Sequence, residues 1–347
     1  MFIIKHKNIF LGLSAFFVIV SVVSIFVYGI RTGIDFTGGS LMEVTYGTPV
    51  ASNVAVVATS TTPTIPVIAT STAVAGTDTS SKRPDVNMVR EEIKTAGFKD
   101  AVVQPIGNDG YVIRMKTLSD AEHKTLLEAL SVNGTQQVIE KRFTSIGPLM
   151  GNELRIKAIW AVVGVILAIM LFIAFAFRKV SKPVSSSVYG YMAVVALIHD
   201  VIIPTGAVAL LGHFFGFEVD ILFVTAILII LGFSVHDTIV VFDRIRENLR
   251  NKLSTDFSFV VGKSLEQTFV RSINTSLAVI LVIIMLVVLG PASTYNFSMI
   301  LLIGITMGTY SSIFLASPLL VLVEEMREKK ALAAPVNTPS FKKKGKK

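Results

Sequence analysis

The sequence predicts an all-α membrane protein of six transmembrane helices that carries one α+β ferredoxin-like domain outside the membrane. Three observations predict this fold class. Hydrophobic residues make up 52% of the 347 positions and charged residues only 16%, which is outside the usual balance of a soluble domain. Six apolar runs approach the length of about 20 residues that a helix needs to cross a bilayer. Between the first two runs, the sequence has strand and helix patterns in the order βαββαβ.

The six apolar runs define the predicted transmembrane helices. They lie at approximately residues 9–29, 156–177, 187–211, 219–242, 273–290 and 297–323. The first run follows Lys5 and Lys7, as in a signal peptide, but it is longer than a signal peptide's apolar part and has no small-residue cleavage site. We therefore expect an uncleaved anchor within residues 1–29 and a core of five further helices within residues 156–330.

Basic residues predict the orientation, because short cytoplasmic loops carry an excess of Lys and Arg. They occur in the connection between the second and third runs, in the connection between the fourth and fifth, and after the sixth: Arg178, Lys179, Lys182, Arg244 to Arg271, Arg327, Lys329 and Lys330. Residues 212–218 and 290–296 contain no Lys or Arg. The prediction places both termini in the cytoplasm and residues 30–155 outside the cell membrane.

The exported segment 30–155 has the element order of a ferredoxin-like domain. Its predicted strands are Leu41–Tyr46, Ala101–Ile106, Tyr111–Met115 and Thr135–Phe143, and its predicted helices are Val86–Ala96 and Ser119–Leu130. Asn108, Asp109 and Gly110 supply a hairpin turn. Ser119 and Glu122 form a capping box at the start of the second helix. A fold of this kind hosts many functions and identifies none.

Three segments have other patterns. Residues 48–83 are a Thr/Ala/Ser/Val/Pro tract without periodicity, which predicts a disordered insertion. Residues 243–271 mix charged and apolar residues at helical spacing, which fits an amphipathic element at the cytoplasmic surface or an ordinary helical connector. Residues 331–347 form a polar tail that ends in five Lys among its last residues, and we expect it to be disordered and to contact anionic lipid headgroups at about 1 kcal/mol per basic residue.

Ionisable residues inside the apolar runs are the candidate functional groups, because each costs about 2.5 to 3.5 kcal/mol at the centre of a membrane helix. Asp200 lies near the middle of the third run. Asp237 lies in the fourth run toward its predicted cytoplasmic end, and Arg271 opens the fifth run from the same side. Their depths predict an ion pair between Asp237 and Arg271. We interpret Asp200, Asp237 and Arg271 as a proton relay.

Polar side chains near these residues support the relay. They are His199, Ser234, His236, Thr238, Ser272, Asn274, Thr275 and Ser276. Hydroxyls and amides of this kind form hydrogen bonds between helices or line a water-filled path. In the functional interpretation, the Arg sets the proton affinity of a buried carboxylate. The alternative is a static bridge between Asp237 and Arg271, with Asp200 satisfied by a neighbouring hydroxyl.

Other kinds of site are disfavoured. Without cysteine there is no disulfide framework, thiolate zinc site or thiol nucleophile. His199-Asp200 and His236-Asp237 could suggest a metal hydrolase, but adjacent residues point to different helix faces and no H-E-x-x-H motif occurs. The segment Gly33 to Gly39 lacks the Lys of a phosphate-binding loop, and we interpret it as the turn into the first strand. We expect no catalytic residue, no cofactor other than protons and no nucleic-acid partner.

Four motifs together resemble the SecD/SecF family, specifically its SecF-type protein translocase subunits. They are GIDFTGGS at residues 33–40, LIHD at 197–200, GFSVHDTIVVFDRIREN at 232–248 and RSINTS at 271–276. The resemblance covers nearly the whole chain and its order of elements. The family belongs to the resistance-nodulation-division (RND) superfamily, so the resemblance implies half of an RND-type transporter in the bacterial cytoplasmic membrane. It also implies that Asp237 and Arg271 serve proton transport.

The resemblance further implies partners. These are SecD, the SecYEG translocon, YajC, YidC, unfolded exported polypeptides and membrane lipids. The implied function is to use the proton motive force with SecD in late steps of protein export. Two rival functions stay open, a small-molecule or lipid exporter of the same superfamily and a passive membrane assembly scaffold. A SecD gene beside this one would argue against the first, and a proton-dependent effect of Asp237 on export would argue against the second.

The chain departs from the family pattern at two places. The tract 48–83 is an apparent insertion, which leaves the contacts of its domain with substrate or SecD open. His236 stands beside Asp237 where the family commonly has Asn. An imidazole titrates near pH 6.5 and could alter the pH response, or it could form a hydrogen bond as Asn would, and we favour the hydrogen bond. An unchanged pH profile of export in His236→Asn would exclude an effect on the pH response.

Overall fold

The computed structural model describes residues 2–47, 83–131, 137–176 and 185–333. Its elements in chain order are α1 (Phe2–Lys5), α2 (Lys7–Tyr28), α3 (Ile34–Thr37), β1 (Gly39–Tyr46), α4 (Val86–Thr95), β2 (Val102–Ile106), β3 (Gly110–Met115), α5 (Asp120–Leu130), β4 (Val138–Ile146), α6 (Pro148–Ala176), α7 (Ser186–Phe215), α8 (Ile221–Arg250), α9 (Phe257–Leu289), α10 (Tyr295–Ser311), a π-helical turn (Ser312–Ala316) and α11 (Ser317–Ala333). The chain forms two compact units, Met1–Gly33 with Leu154–Lys347 and Ile34–Glu153. We call the first the membrane unit and the second the α+β unit.

The described residues contain six helices long and apolar enough to cross a membrane, which confirms the predicted number. They are Lys7–Tyr28, Pro148–Ala176, Ser187–Phe215, Ile221–Arg250, Phe257–Leu289 and Tyr295–Lys330, named spans 1 to 6 here. All of them extend past at least one end of the predicted apolar run. Span 2, for example, begins at Pro148 instead of residue 156. Polar residues continue these helices beyond the apolar stretch, so a hydropathy criterion does not detect the true ends.

Spans 3, 4 and 6 form the interior of the membrane unit. Half of the apolar windows of spans 3 and 4, and 61% of that of span 6, is buried, against 6% for span 2 and 17% each for spans 1 and 5. Because the hydrophobic effect does not drive helices together within lipid, membrane helices associate through close packing and interhelical hydrogen bonds. Polar residues of spans 3, 4 and 6 such as Asp200, Asp237 and Ser311 are buried among these helices.

Two glycines allow close approach of the helices. A Cβ atom on Gly206 in span 3 would lie 2.3 Å from Cβ of Ser21 in span 1. A Cβ atom on Gly304 in span 6 would lie 2.1 Å from Cδ1 of Ile230 in span 4. Gly304 and Gly308 form a Gly-xxx-Gly pattern, a spacing typical of tight contacts between membrane helices. The contact between Gly304 and Ile230 holds span 6 against span 4 about two helical turns before Ser311.

Span 6 is interrupted by the π-helical turn Ser312–Ala316. A π turn widens the helix by shifting its hydrogen bonds from residue i+4 to residue i+5, and such turns frequently occur at functional sites. The sequence analysis treated span 6 as one continuous α-helix. It missed the turn because no proline or glycine occurs within it to indicate a break.

The segment between the apolar parts of spans 4 and 5 consists mainly of helical extensions of these two spans. α8 continues to Arg250 and α9 begins at Phe257. The Asn248 side-chain amide donates hydrogen bonds to the Ser264 hydroxyl and to the Gln267 carbonyl oxygen, both at 2.8 Å. The structure therefore supports a helical connector over a separate surface helix, because the apolar residues of this region pack between the two extensions.

The α+β unit has the predicted ferredoxin-like topology. Its sheet has the strand order β2-β3-β1-β4, with every neighbouring pair antiparallel. One face of β1, formed by Met42, Val44 and Tyr46, is buried in a core shared with α4 and α5. Ser119 and Glu122 form the predicted capping box. β4 runs from Val138 to Ile146, three residues past the predicted end at Phe143, while the first two residues of the predicted strand, 135 and 136, lie outside the described residues. A register shift on β1 between Glu43 and Val44 accompanies the pairing of β4.

The glycines of the Gly33 to Gly39 segment form the turn into β1, as predicted. Gly38 and Gly39 have φ angles of +76° and +136°, which side-chain-bearing residues rarely adopt. A Cβ atom on Gly38 would lie 2.7 Å from Cα of Pro148, and one on Gly39 would lie 2.7 Å from the Met115 carbonyl oxygen. This glycine pair therefore serves backbone packing within the α+β unit.

Several predictions concern residues outside the described ranges. These are the insertion up to residue 82, the basic residues Arg178, Lys179 and Lys182, and the tail from residue 334 onward. Arg83, the last residue of the predicted disordered tract, is described and ordered. Its guanidinium donates a hydrogen bond of 2.9 Å to the Gly107 carbonyl oxygen and lies 5.3 Å from the centre of the Tyr111 ring. The predicted disorder of the tract therefore does not extend to Arg83.

Candidate functional site

Asp200 lies in the middle of the interior helices. Its side chain is completely buried. His199 Nδ1 lies 2.9 Å from Oδ1, and the Ser311 hydroxyl donates a hydrogen bond of 2.8 Å to Oδ2. The Ser234 hydroxyl also donates to Oδ2. The carboxyl group therefore connects spans 3, 4 and 6 through polar contacts.

Asp237 is the second buried carboxylate, in span 4. It is 2% exposed and accepts a hydrogen bond of 3.1 Å at Oδ2 from the Ser276 hydroxyl of span 5. His236 Nδ1 lies 3.7 Å from Oδ1, beyond hydrogen-bonding distance, and its side chain is 59% exposed. The hydrogen bond that we favoured for His236 is thus not formed in this structure. The imidazole lies at the outer edge of the Asp237 environment.

The predicted ion pair between Asp237 and Arg271 is not formed. Both residues are described, and no nitrogen of Arg271 lies within 4 Å of the Asp237 carboxylate, while Arg271 itself is exposed. The reason is helical rotation. Ser276 faces Asp237, and Arg271 precedes it on α9 by an angle of about 140° around the helix axis. Position along a span does not specify which face of the helix a side chain occupies, and the predicted pairing failed for this reason.

The two carboxylates are linked through α8. Ser234, which donates to Asp200, precedes Asp237 on the same helix by a rise of about 4.5 Å. Residues at this spacing lie on one helix face. The hydroxyl of Ser234 and the carboxylate of Asp237 therefore occupy consecutive turns of the buried face of span 4. Together with Ser276, they form a polar line from span 3 across span 4 to span 5.

The remaining predicted supporting residues divide into two groups. Ser272 and Thr238 are buried. Asn274 and Thr275 are exposed on α9 together with Arg271, and the Thr275 hydroxyl donates to the Arg271 carbonyl oxygen at 2.9 Å. Among the described residues, no hydrogen bond joins Thr238, Ser272, Asn274 or Thr275 to either carboxylate. The residues of the prediction that contact a carboxylate are His199, Ser234, His236 and Ser276.

Ser311 is the site residue that the sequence analysis missed. Its hydroxyl lies 2.8 Å from Asp200 Oδ2 and 3.0 Å from the Gly308 carbonyl oxygen, directly before the π-helical turn. Hydroxyls are common in membrane helices, so a Ser in an apolar run is a weak signal. The nearby Gly304-xxx-Gly308 pattern was the available clue, because it indicated that this face of span 6 contacts another helix.

The arrangement can bind and release protons. Two carboxylates are buried among hydroxyl groups, and His199 lies directly beside one of them. Hydroxyl donors stabilise the ionised form of a carboxylate, whereas removal from water stabilises the protonated form. Among the described residues, no group of three or more His, Cys, Asp or Glu side chains could hold a metal ion.

Comparisons with known proteins relate the chain to protein export. Residues 127–326 match the family described as protein export membrane protein SecD/SecF, C-terminal, and residues 23–50 match the SecD/SecF GG motif, which includes Gly38 and Gly39. Protein translocase subunit SecF of Thermobaculum terrenum is 37% identical over 92% of this chain and 92% of its own length. The SecF subunit of Pseudomonas aeruginosa is 30% identical over 91% of this chain and 89% of its own length.

Solved structures give the same relation for the fold. A crystal structure of SecDF, a translocon-associated membrane protein from Thermus thermophilus, matches 93% of this chain with a TM-score of 0.73 and 26% sequence identity. A second structure, of SecDF in a super-membrane-facing form, matches 95% with a TM-score of 0.59 and 28% identity. The chain spans 38% of the first SecDF chain and 39% of the second.

Proposed function

The chain belongs to the SecD/SecF family of protein-export membrane proteins, and we propose that it acts as the SecF-type half of a proton-driven export unit. It is a protein translocase subunit rather than an enzyme that turns over a chemical substrate. In the proposal, the proton motive force drives a change in the packing of the spans. That change assists the late steps of protein export across the bacterial cytoplasmic membrane.

The observation that carries the proposal is the pair of buried carboxylates, Asp200 and Asp237, on adjoining interior spans. A static fold gains little from two such groups, because each is expensive in the membrane and neither is paired with Lys or Arg in the described structure. A proton carrier needs a group whose charge can be changed. Reversible proton binding at Asp237 and Asp200 explains why two groups that are energetically costly to bury in the membrane occupy these positions.

Arg271 has a regulatory role in the proposed cycle. Its exposed position leaves it free to approach Asp237 after a rotation of α9. A cation beside the carboxylate would favour proton release, and its withdrawal would favour proton uptake. The separated arrangement of Asp237 and Arg271 then corresponds to one step of the cycle, and an ion pair corresponds to another.

The exposed polar face of α9 indicates that a partner protein packs against this span in the membrane. Arg271, Asn274 and Thr275 all lie on exposed positions of this span, and the half-exposed His236 lies on the neighbouring α8. An Arg that faces lipid tails is energetically costly, so we expect this face to be covered by protein or water. The SecDF chains are more than twice as long as this one. We propose that SecD covers this face.

The proposed orientation places the termini in the cytoplasm and the α+β unit outside. There, the α+β unit would hold segments of the emerging unfolded polypeptide while the spans change conformation. One charge crossing 100 mV releases about 2.3 kcal/mol, which can bias a movement of such a unit but cannot work against a large load. A stepwise ratchet beside the SecYEG translocon fits this energy, with YajC and YidC as further partners in the same assembly.

Export into inner-membrane vesicles tests the proposal. Vesicles that carry the Asp237→Asn chain with its SecD partner should lose the part of export that depends on the proton motive force and keep the part that does not. The matched control is Asp243→Asn, since Asp243 lies on the same helix but is exposed and sits 3.6 Å from Arg246. Unchanged proton-dependent export in Asp237→Asn would instead support a passive scaffold.

A further inference from the structure

We propose that His199 and Asp200 form a second proton-binding unit, a dyad whose point of proton exchange is Nε2 of His199. The dyad depends on the proposed function for its role in transport, but its protonation can be measured without export. In this proposal His199 does more than orient Asp200. It carries the proton between the completely buried carboxylate and the region between spans 1, 3 and 6.

The first observation is the unsatisfied nitrogen of the His199 ring. His199 is 3% exposed, and Nδ1 lies 2.9 Å from Asp200 Oδ1. Nε2 is buried and has no hydrogen-bond partner among the described residues. An imidazole nitrogen is either a donor or an acceptor in every protonation state, so Nε2 requires a polar partner in each of them. In a polar interior site, the partner that commonly fills this need is water.

The second observation is the polar surroundings of the ring. The ring of Tyr310 in span 6 is stacked on that of His199 with a centroid distance of 6.4 Å and an angle of 22°. The Tyr310 hydroxyl donates a hydrogen bond of 3.0 Å to the Phe10 carbonyl oxygen. The buried Ser14 hydroxyl lies 3.5 Å from the Tyr310 hydroxyl. Polar groups of spans 1 and 6 therefore meet at the hydroxyl of the tyrosine whose ring is stacked on His199.

The charge balance of the region also favours the dyad. Spans 1, 4 and 6, which pack against span 3, carry ionisable side chains of their own, among them Lys7, Tyr28, His236, Asp237, Tyr310 and Glu324. Lys7 and Tyr28 lie at the two ends of span 1, and Lys7 is paired with Glu325. Within hydrogen-bonding distance of Asp200, the only group among the described residues that can become positively charged is the His199 ring. A proton shared within the dyad is therefore the local means of keeping this buried carboxyl group neutral overall.

The proposed transfer conserves protons and ring charge. In the ionised state, Nδ1–H of the neutral His199 ring donates to Asp200 Oδ1. A hydronium ion gives a proton to Nε2 and leaves as water, the Nδ1–H bond breaks, and the proton from Nδ1 passes to Oδ1. The ring is then neutral again, with its proton on Nε2, and Asp200 is a neutral carboxylic acid. Release of the proton reverses these steps and returns the ring to its first tautomer.

Nitrogen NMR on the full chain in lipid bilayers tests the proposal. The chain has five histidines, and loss of one ring signal in His199→Asn would assign the His199 resonances. We expect these resonances to change, over a pH series, in the way that a change of tautomer or of charge produces. We also expect an infrared band of the protonated Asp200 carboxyl group, assigned by its loss in Asp200→Asn, to follow the same pH course.

The His199→Asn variant separates proton transfer from positioning. The amide nitrogen of Asn can take the place of Nδ1 and donate to Asp200, but it has no second ring nitrogen that could take up a proton. We expect His199→Asn to abolish the pH-dependent change of the Asp200 band. His213→Asn, in the last turn of α7, should leave that change intact.

Two results would overturn the proposal. One is a His199 ring that stays in a single tautomer throughout the pH range in the unaltered chain. The other is an Asp200 band that titrates in His199→Asn as it does in the unaltered chain, which would make His199 a positioning residue only. A titrating dyad combined with unchanged export in Asp237→Asn would uphold the dyad and reject the proposed function, so the two failures are distinguishable.

Discussion

Asp200 and Asp237 differ in what surrounds each carboxylate. Asp200 is enclosed by three polar neighbours from three spans, whereas Asp237 has one hydroxyl donor, Ser276, and an imidazole at its edge. A group with fewer fixed donors changes its charge at a smaller cost in broken hydrogen bonds. Asp237 is therefore the better candidate for exchange with a solvated partner interface, and Asp200 for storage of a proton in the interior.

Removal of the Ser276 hydroxyl should change the proton response through Asp237. Hydrogen bonds to charged groups contribute about 1.5 to 3 kcal/mol, so Ser276→Ala should make proton release from Asp237 less favourable. We expect the pH profile of proton-driven export to move to higher pH. Thr275→Ala is the control, because that hydroxyl donates to the backbone of its own helix. Identical pH profiles for the two variants would show that Ser276 does not act on Asp237.

The capping box of α5 predicts a pH-dependent stability of the α+β unit. Hydrogen bonds from the Ser119 backbone and hydroxyl lower the pKa of Glu122. A carboxylate with a lowered folded pKa stabilises the fold above its unfolded pKa of about 4.3, and this stabilisation is lost as the pH falls through the folded value.

Hydrogen exchange measures this effect in the full chain. The first turn of α5 should be better protected near pH 6 than below pH 4, after correction for intrinsic exchange rates, and Glu122→Gln should reduce the difference. Glu128→Gln on the same helix should not. Equal pH dependence in both variants would contradict the role of the capping box.

At the residue scale, the sequence predicted which groups carry chemistry better than how they pair. Asp200 and Asp237 could be found because a carboxyl group in an apolar run is rare. The contacts of Ser276 and Ser311 depend on the rotation of each helix about its axis, which residue depth does not specify. The same limitation produced the incorrect Asp237–Arg271 ion pair, since the two residues share a depth but not a facing direction.

The types of the helices and strands were predicted well, whereas the residues at which they begin and end were predicted less accurately. Apolar length located all six spans, because a helix of this length forms all of its backbone hydrogen bonds within its own segment while it crosses the lipid. Alternating patterns and the Ser119–Glu122 signal located the strands and helices of the α+β unit. The π-helical turn of span 6 could not be predicted, because an extra residue in a helical turn follows from packing against spans 3 and 4 and not from local propensity.

The contact between spans 4 and 6 determines where Ser311 lies relative to Asp200. Gly304→Ala places a methyl group where Ile230 now packs, with a separation of only 2.1 Å to Cδ1. We expect a loss of about 1 to 3 kcal/mol in unfolding free energy, measured in mixed detergent micelles, from overpacking. Gly232→Ala in span 4 is the matched control, because a Cβ atom there has no neighbour within 4 Å. Equal stability of the two variants would contradict the close contact.

The whole molecule combines an interior that holds its ionisable groups with a membrane face that is too polar for lipid. Spans 3, 4 and 6 enclose Asp200 and Asp237, and span 5 presents Arg271, Asn274 and Thr275 outward. Such a face indicates a membrane protein that is complete only with a partner. Affinity purification of the chain from its own membranes tests this directly. We expect SecD to be recovered with the chain, and recovery of the chain without SecD would contradict the need for a partner.

Proton flux through proteoliposomes tests the central claim most directly. The liposomes would contain the chain together with co-purified SecD, and an internal pH-sensitive dye would report proton entry after a proton motive force is imposed. We predict flux above that of empty liposomes for the unaltered chain and for Asp243→Asn, and flux at the level of empty liposomes for Asp237→Asn. Equal flux in all three chains would contradict the claim that Asp237 carries protons in this family member.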